Sequence, residues 1–170
     1  MSKDFFQVLR ERRSVRAYLS KPIPPEALTL LGEAVSLAPT ACNRQPFLFQ
    51  VVLDANRRAR IAEVYRQPWL RQAPAIVLAI GNPQQAWRRL EGDSIVAVDV
   101  AIAMEHLVLA AAALGLGTCW ICAYERAAMN RAAGVQSPGE VIAISPLGYP
   151  ADDKPAPPRK PLAEIFQVIA

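Results

Sequence analysis

IVAVDVAIAMEHLVLAAAALGL, residues 95–116, is the most apolar window of the chain, and two kinds of fold compete for it. Its length suffices to cross a bilayer, for which about 20 apolar residues are needed. Asp99, Glu105 and His106 lie inside it, however. A charged side chain near mid-membrane costs about 2.5–3.5 kcal/mol even on the lenient insertion scale. The window therefore reads as a buried central helix, opened by Ser94, running over 94–114 and ended by Gly115, and no membrane association is expected.

The remainder of the chain arranges itself around that helix. With 170 residues, 52% of them hydrophobic, there is material for the core of one compact domain spanning 1–170. Helical spacing of Phe5, Val8, Leu9 and Arg12 behind Ser2, an N-cap, predicts a first helix over 3–13. Ser14, Arg16 and Tyr18 then alternate with Val15, Ala17 and Leu19, the pattern of a short extended segment. Pro24 and Pro25 suit the first turn of a second helix, which Pro39 stops. FLFQVVL (47–53) and AIVLAI (75–80) read as buried strands flanking a helix over 57–66, and 81–93 as a loop. TCWICA (118–123) is predicted to be a strand, 125–133 a helix, and EVIAISPLGY the last strand. Residues 150–161 hold five prolines and should lie extended as an arm, 150–170, that ends in a short helical stretch over 162–169.

Charge and cysteines narrow the function. Nineteen Lys and Arg against fifteen Asp and Glu leave a net charge of +4, with pI near 9.2. The acids are spread through the same segments, which favours a phosphorylated small partner at least as much as nucleic acid. Single-stranded nucleic acid would want aromatics interleaved with the cations, and Tyr18 is the only one beside the arginines of RRSVRAY, 12–18. Lys3, Asp4, Arg10 and Glu11 interrupt any apolar stretch in the first twenty residues, so a cytoplasmic location is expected. Cys42, Cys119 and Cys122 are too few for a disulfide scaffold.

The motif-like pieces weigh unequally. CWIC with Cys42 and His106 counts to four zinc ligands, but on a strand Cys119 and Cys122 point to opposite faces, and His106 on an apolar helix is more often hydrogen-bonded within the fold than metal-bound. No metal is expected. GLG (115–117) follows a helix and precedes a strand, the reverse of the dinucleotide-binding order. There is no nucleophile elbow and one histidine, which argues against acyl transfer. Arg12, Ser14 and Arg16, by contrast, can converge on a dianion through guanidinium forks and a hydroxyl, although Arg12 and Arg13 equally suit a helix C-terminus.

Taken in order, RRSVRAY, SLAPTACNRQPFLFQVV, DVAIAMEHLVLAAAALGLGTCWI, LGYP and PPRKPLAEIF resemble the FMN-dependent nitroreductase family over almost the whole chain. The resemblance implies an α+β fold, a three-layer αβα sandwich around a mixed, mainly antiparallel sheet, in a homodimer. It assigns Arg12, Arg13, Ser14 and Arg16 to the FMN phosphate and ribityl chain, joined by Arg159 with Lys160 from the arm. Pro39, Thr40 and Ala41 are implied to reach the flavin from the partner subunit, in a loop that also carries Asn43 and Gln45. Trp120, Ile121, Cys122 and Ala123 are implied to lie against the ring, with the Cys122 amide facing N5. The activity implied is ping-pong reduction of a small-molecule electron acceptor, a nitroaromatic or quinone, by NADH or NADPH, with FMN and no side-chain acid or nucleophile doing the chemistry. Relatives that dehalogenate, fragment flavin or oxidise azolines, and a non-catalytic flavin-binding protein, are the alternatives. Phe47 and Thr40 depart from the family's usual Trp and Ser. Short members lack the helices inserted over the active site, which implies an open substrate side.

Overall fold

The computed structural model describes residues 4–169. β1 (Phe47–Val52), β2 (Ala75–Gly81), β3 (Gly117–Thr118) and β4 (Glu140–Gly148) form one sheet in the order β1-β2-β4-β3. Every ladder in it is antiparallel. Among the described residues, the one parallel element is an isolated bridge from Ser14 to Thr118, so the segment after the first helix lies along the β3 edge.

β2 shows why the sheet is covered on both sides. It is buried throughout, and its side chains alternate between two cores: Ile76, Leu78 and Ile80 enter one, while Val77 and Ala79 enter others on the opposite face. The first face carries α3 (Ala55–Val64) and α5 (Arg126–Ala133); the second carries α2 (Pro25–Ser36) and α4 (Val96–Ala113), with α1 (Phe5–Glu11) against α4. This is the α+β, three-layer αβα sandwich that the resemblance implies.

α4 is the central helix expected from residues 95–116. By length and composition it is apolar enough to cross a membrane, yet Asp99, Val100, Ala103, Met104, Leu107, Val108 and Ala111 are buried within the protein. Gly115, at φ +73°, ends it. Asp54 caps α3 by accepting from the Arg57 amide at 2.7 Å, which starts that helix two residues before the predicted 57. Glu125 caps α5, and Gly134 at φ 66° closes it. The expected N-cap Ser2 lies outside the described residues.

Two expectations need correction. The strand predicted over 118–123 ends as a ladder at Thr118 and resumes as a single bridge, Ile121 to Ile144, in the same register. Ile121 and Ile144 exchange both backbone hydrogen bonds, so the next pair to do so in this direction is Cys119 with Pro146. Pro146 has no N–H to give, and the Cys119 amide donates instead to Ser145 Oγ at 3.0 Å. The helix predicted over 162–169 is a single turn, α6 (Leu162–Ile165). Its Leu162, Ile165 and the following Phe166, Val168 and Ile169 are all exposed, so no core packing sustains further turns. Two short 3-10 turns, Ala41–Asn43 and Pro68–Gln72, were not foreseen.

Candidate functional site

The β3 edge gathers the first set of predicted site residues. The Val15 amide donates to the Thr118 carbonyl at 2.8 Å, and Gly117 makes the approach possible: a Cβ there would stand 2.6 Å from Val15 Cγ2. Segment 14–16 therefore lies directly against the strand. Ser14 hydrogen-bonds the Cys119 side chain, and Arg16 is close enough to act on that thiol, although burial is the larger influence and pushes the thiol pKa up. The Arg16 guanidinium also sits 5.9 Å from the centre of the Trp69 ring.

Beyond Thr118 the edge is open. Ile121 turns its backbone to β4, so the backbone groups of Trp120 and Cys122 face away from the sheet. Trp120, Cys122 and Ala123 are exposed while Ile121 is 3% exposed and belongs to the core. The Trp120 indole N–H donates to Cys122 Sγ at 3.0 Å. Cys119 is buried and Cys122 exposed, on opposite faces as alternation requires. His106 pairs through Nδ1 with the Ala34 carbonyl at 3.1 Å.

The arginines divide. Arg13 is committed within the protein: Nη2 donates at 2.6 Å both to Asp152 Oδ1 and to the Asp152 carbonyl, fixing the root of the arm. The Arg12 side chain has no hydrogen-bond or ion-pair partner among the described residues. Both line a cavity of about 950 Å³ between α1, the end of α4 and residues 149–156, whereas Ser14, Arg16 and 120–123 do not. Arg159 and Lys160 stand exposed on the arm, away from that cavity, with Lys160 Nζ 3.9 Å from Glu164.

The Arg13 contact lowers the Asp152 carboxyl below the usual carboxylate range, chiefly through that hydrogen bond. A folded pKa below the unfolded value of about 3.9 means that the contribution is complete above that value and is lost as pH falls through the folded one. The Ala151 amide, bonded to the Ala17 carbonyl at 2.9 Å, reports on it. Its hydrogen-exchange protection should hold from pH 7 down to the free carboxylate value and be lost only below it; Asp152→Asn should lack it already at pH 7. Equal protection of this amide in wild type and Asp152→Asn at pH 7 would contradict the assignment.

The second set lies elsewhere. Pro39, Thr40, Ala41, Asn43 and Gln45 form the loop that enters β1, on the opposite edge of the sheet from β3. Three strand spacings, about 14 Å, separate those edges. Along α4 the sets are also apart: the loop is anchored at Asp99, while Arg12 and Arg13 share a cavity with Ala112, about 20 Å further on at 1.5 Å per residue. One chain does not bring the two sets together.

That loop is held tightly. Cys42, Asn43 and Gln45 all have positive φ, 52°, 51° and 48°, unusual for residues other than glycine. Thr40 Oγ1 accepts from the Gln45 amide at 3.0 Å, and Gln45 Nε2 donates to Asn43 Oδ1 at 3.0 Å. Trp69, Asp99 and Asp152 are the participants that sequence reading missed. Asp99 alone carried a signal, a carboxylate in the first turn of an otherwise apolar helix.

The structure thus lays the cationic segment 14–16 along the β3 edge of a three-layer α+β sandwich. The model of the Nitroreductase family matches residues 9–66 and 61–149. Among curated proteins, the chain is 33% identical over 170 residues to the FMN reductase [NAD(P)H] of Bacillus subtilis strain 168, covering 90% of this chain and 68% of that one. It is 24% identical over 183 residues to the iodotyrosine deiodinase of Thermotoga neapolitana, covering 92% and 94%. A nitroreductase family protein from Clostridium novyi NT superposes with a TM-score of 0.82 at 29% identity over 88% of this chain and 87% of that one. The chain belongs to the Nitroreductase family, and it is an oxidoreductase.

Proposed function

We propose that the chain is a cytoplasmic, FMN-dependent oxidoreductase that uses NADH or NADPH to reduce nitroaromatic, quinone or similar acceptors, and that it works as a homodimer. The observation that carries this reading is the β3 edge. Arg16, free of any acid partner among the described residues, lies with Ser14 against β3, beyond which the Trp120 and Cys122 amides face outward; Arg12, its side chain likewise without an acid partner among the described residues, lines the neighbouring cavity. That donor set fits a phosphorylated flavin. Cations and a hydroxyl suit the phosphate, and outward-facing amides suit the polar rim of the ring. When bound, FMN supplies acceptance of a hydride and its delivery to a second substrate. Arg16 would place positive charge near the ring or its tail, and Trp120 would offer an apolar surface. Arg13 is better read as the residue that fixes the arm than as a phosphate ligand. Arg159 and Lys160 sit on an arm whose exposed apolar end wants a second copy to lie on.

The separation of the two site halves supports the dimer. If Pro39, Thr40 and Ala41 act on the same flavin as Arg16, they come from different copies. The likeness to a deiodinase favours one alternative above the rest, reductive dehalogenation on the same flavin.

Purified protein should be yellow, bleach on anaerobic addition of NADH or NADPH, and recolour with a nitroaromatic or quinone. A colourless protein that takes up no FMN would defeat the reading. A yellow one that does not bleach is a flavin-binding protein without this activity. Recolouring by a halotyrosine alone would favour dehalogenation.

A further inference from the structure

The loop at 39–45 poses a physical problem that its own hydrogen bonds do not solve. Left-handed backbone at Cys42, Asn43 and Gln45 persists only where surrounding structure over-determines it. The body holds the loop through Arg44, which donates to the Ala86 carbonyl at 3.0 Å, through the Asn82 amide, which donates to the Pro46 carbonyl at 2.8 Å, and through Asp99. Arg44 and Pro46 lie at the β1 side of the loop. Asp99 is the anchor at the other side, where its Oδ1 accepts from the Ala41 amide at 3.0 Å.

Asp99 is an odd choice for packing. It is 1% exposed, and its Oδ2 is buried without any hydrogen-bond partner. A buried carboxylate oxygen left unpaired opposes folding, and an apolar residue would fill the place at less cost. What the carboxylate does provide is a rigid acceptor, fixed on the first turn of α4, for one loop amide. We infer that Asp99 is a positioning residue for cofactor binding in trans: it holds Pro39, Thr40 and Ala41 in the shape that meets the flavin bound at the other copy's Arg16. The inference rests on the flavin-dimer reading above and deepens it.

Such a role separates affinity from stability. A residue that merely packs loses both when replaced. Asp99→Ala removes the orphaned oxygen together with the anchor, so the thermal midpoint of the apoprotein should stay at or above wild type while the Kd for FMN rises at least tenfold. Asp99→Asn keeps an Oδ1 acceptor and should remain within about threefold of wild type. Ala41→Pro deletes the same hydrogen bond from the loop side, with Thr40 already in the extended conformation that precedes proline. It must reproduce the loss, and it carries the test should Asp99→Ala fail to fold.

The decisive experiment titrates FMN, followed by flavin fluorescence, into mixed dimers of one Asp99→Ala copy and one Arg16→Ala copy, purified through two different affinity tags. Action in trans puts both defects in one site and leaves the other whole, so one FMN binds per dimer with wild-type affinity. Two weakened sites, with neither at wild-type affinity, would overturn the inference, as would wild-type affinity in Asp99→Ala or in Ala41→Pro. Failure of the wild-type protein to take up any FMN defeats the flavin reading itself, a result distinct from these.

Discussion

Arg16→Ala should weaken FMN binding by about 10- to 100-fold and leave the apoprotein's thermal midpoint nearly unchanged. Among the described residues the guanidinium makes no ion pair, and the contact it does make is with the Trp69 ring, at 5.9 Å. A hydrogen bond to a charged group contributes about 1.5–3 kcal/mol, which sets the size of the affinity loss. A cation–π contact at an exposed site contributes only about 0.5–1 kcal/mol, so little stability goes with it. Arg12→Ala should behave in the same way. Arg13→Ala should behave in the opposite way, releasing the arm root held by Asp152 and changing FMN affinity less. Isothermal titration of the apoproteins, alongside thermal unfolding, distinguishes the three. Wild-type flavin affinity in both Arg12→Ala and Arg16→Ala would remove the phosphate assignment.

Gly117→Ala should be the most damaging single methyl group in the neighbourhood. The added Cβ would meet Val15 at Cγ2, Cβ and Cγ1, at 2.6, 2.8 and 2.9 Å. Because Val15 is branched at Cβ and 3% exposed, it cannot swing a flexible end aside. Overpacking of this kind costs about 1–3 kcal/mol, or about 2–10 °C in thermal midpoint for a chain of this size. The strain falls on the contact that seats Ser14 and Arg16 against β3, so FMN affinity should fall with stability. Stability lost with affinity intact would mean that the segment's placement is irrelevant to the ligand.

Much of the fold was legible because periodicity reports burial. β2 is apolar at every position since it has a helical layer on each side, and α4 is apolar on more than one face since it is wedged between sheet and α2. What escaped notice depends on contacts distant in sequence. Pro146 stands in plain sight in EVIAISPLGY, but that it would interrupt the neighbouring strand at Cys119 depends on a pairing that only the fold defines. Arg13 looks like its neighbours until Asp152, 139 residues away, claims it. Three left-handed residues in the 39–45 loop gave little warning, because only Asn43 among them is a type that visits that region readily. The two sets of proposed site residues lie on opposite edges of the sheet, and no pattern along one chain states that separation.

Native mass spectrometry of protein reconstituted with FMN tests the central claim most directly. The account predicts a species of two 18.6 kDa chains carrying two FMN molecules, and loss of both flavins when the chains are separated. Single chains that retain FMN, or a dimer that never acquires it, would contradict the claim.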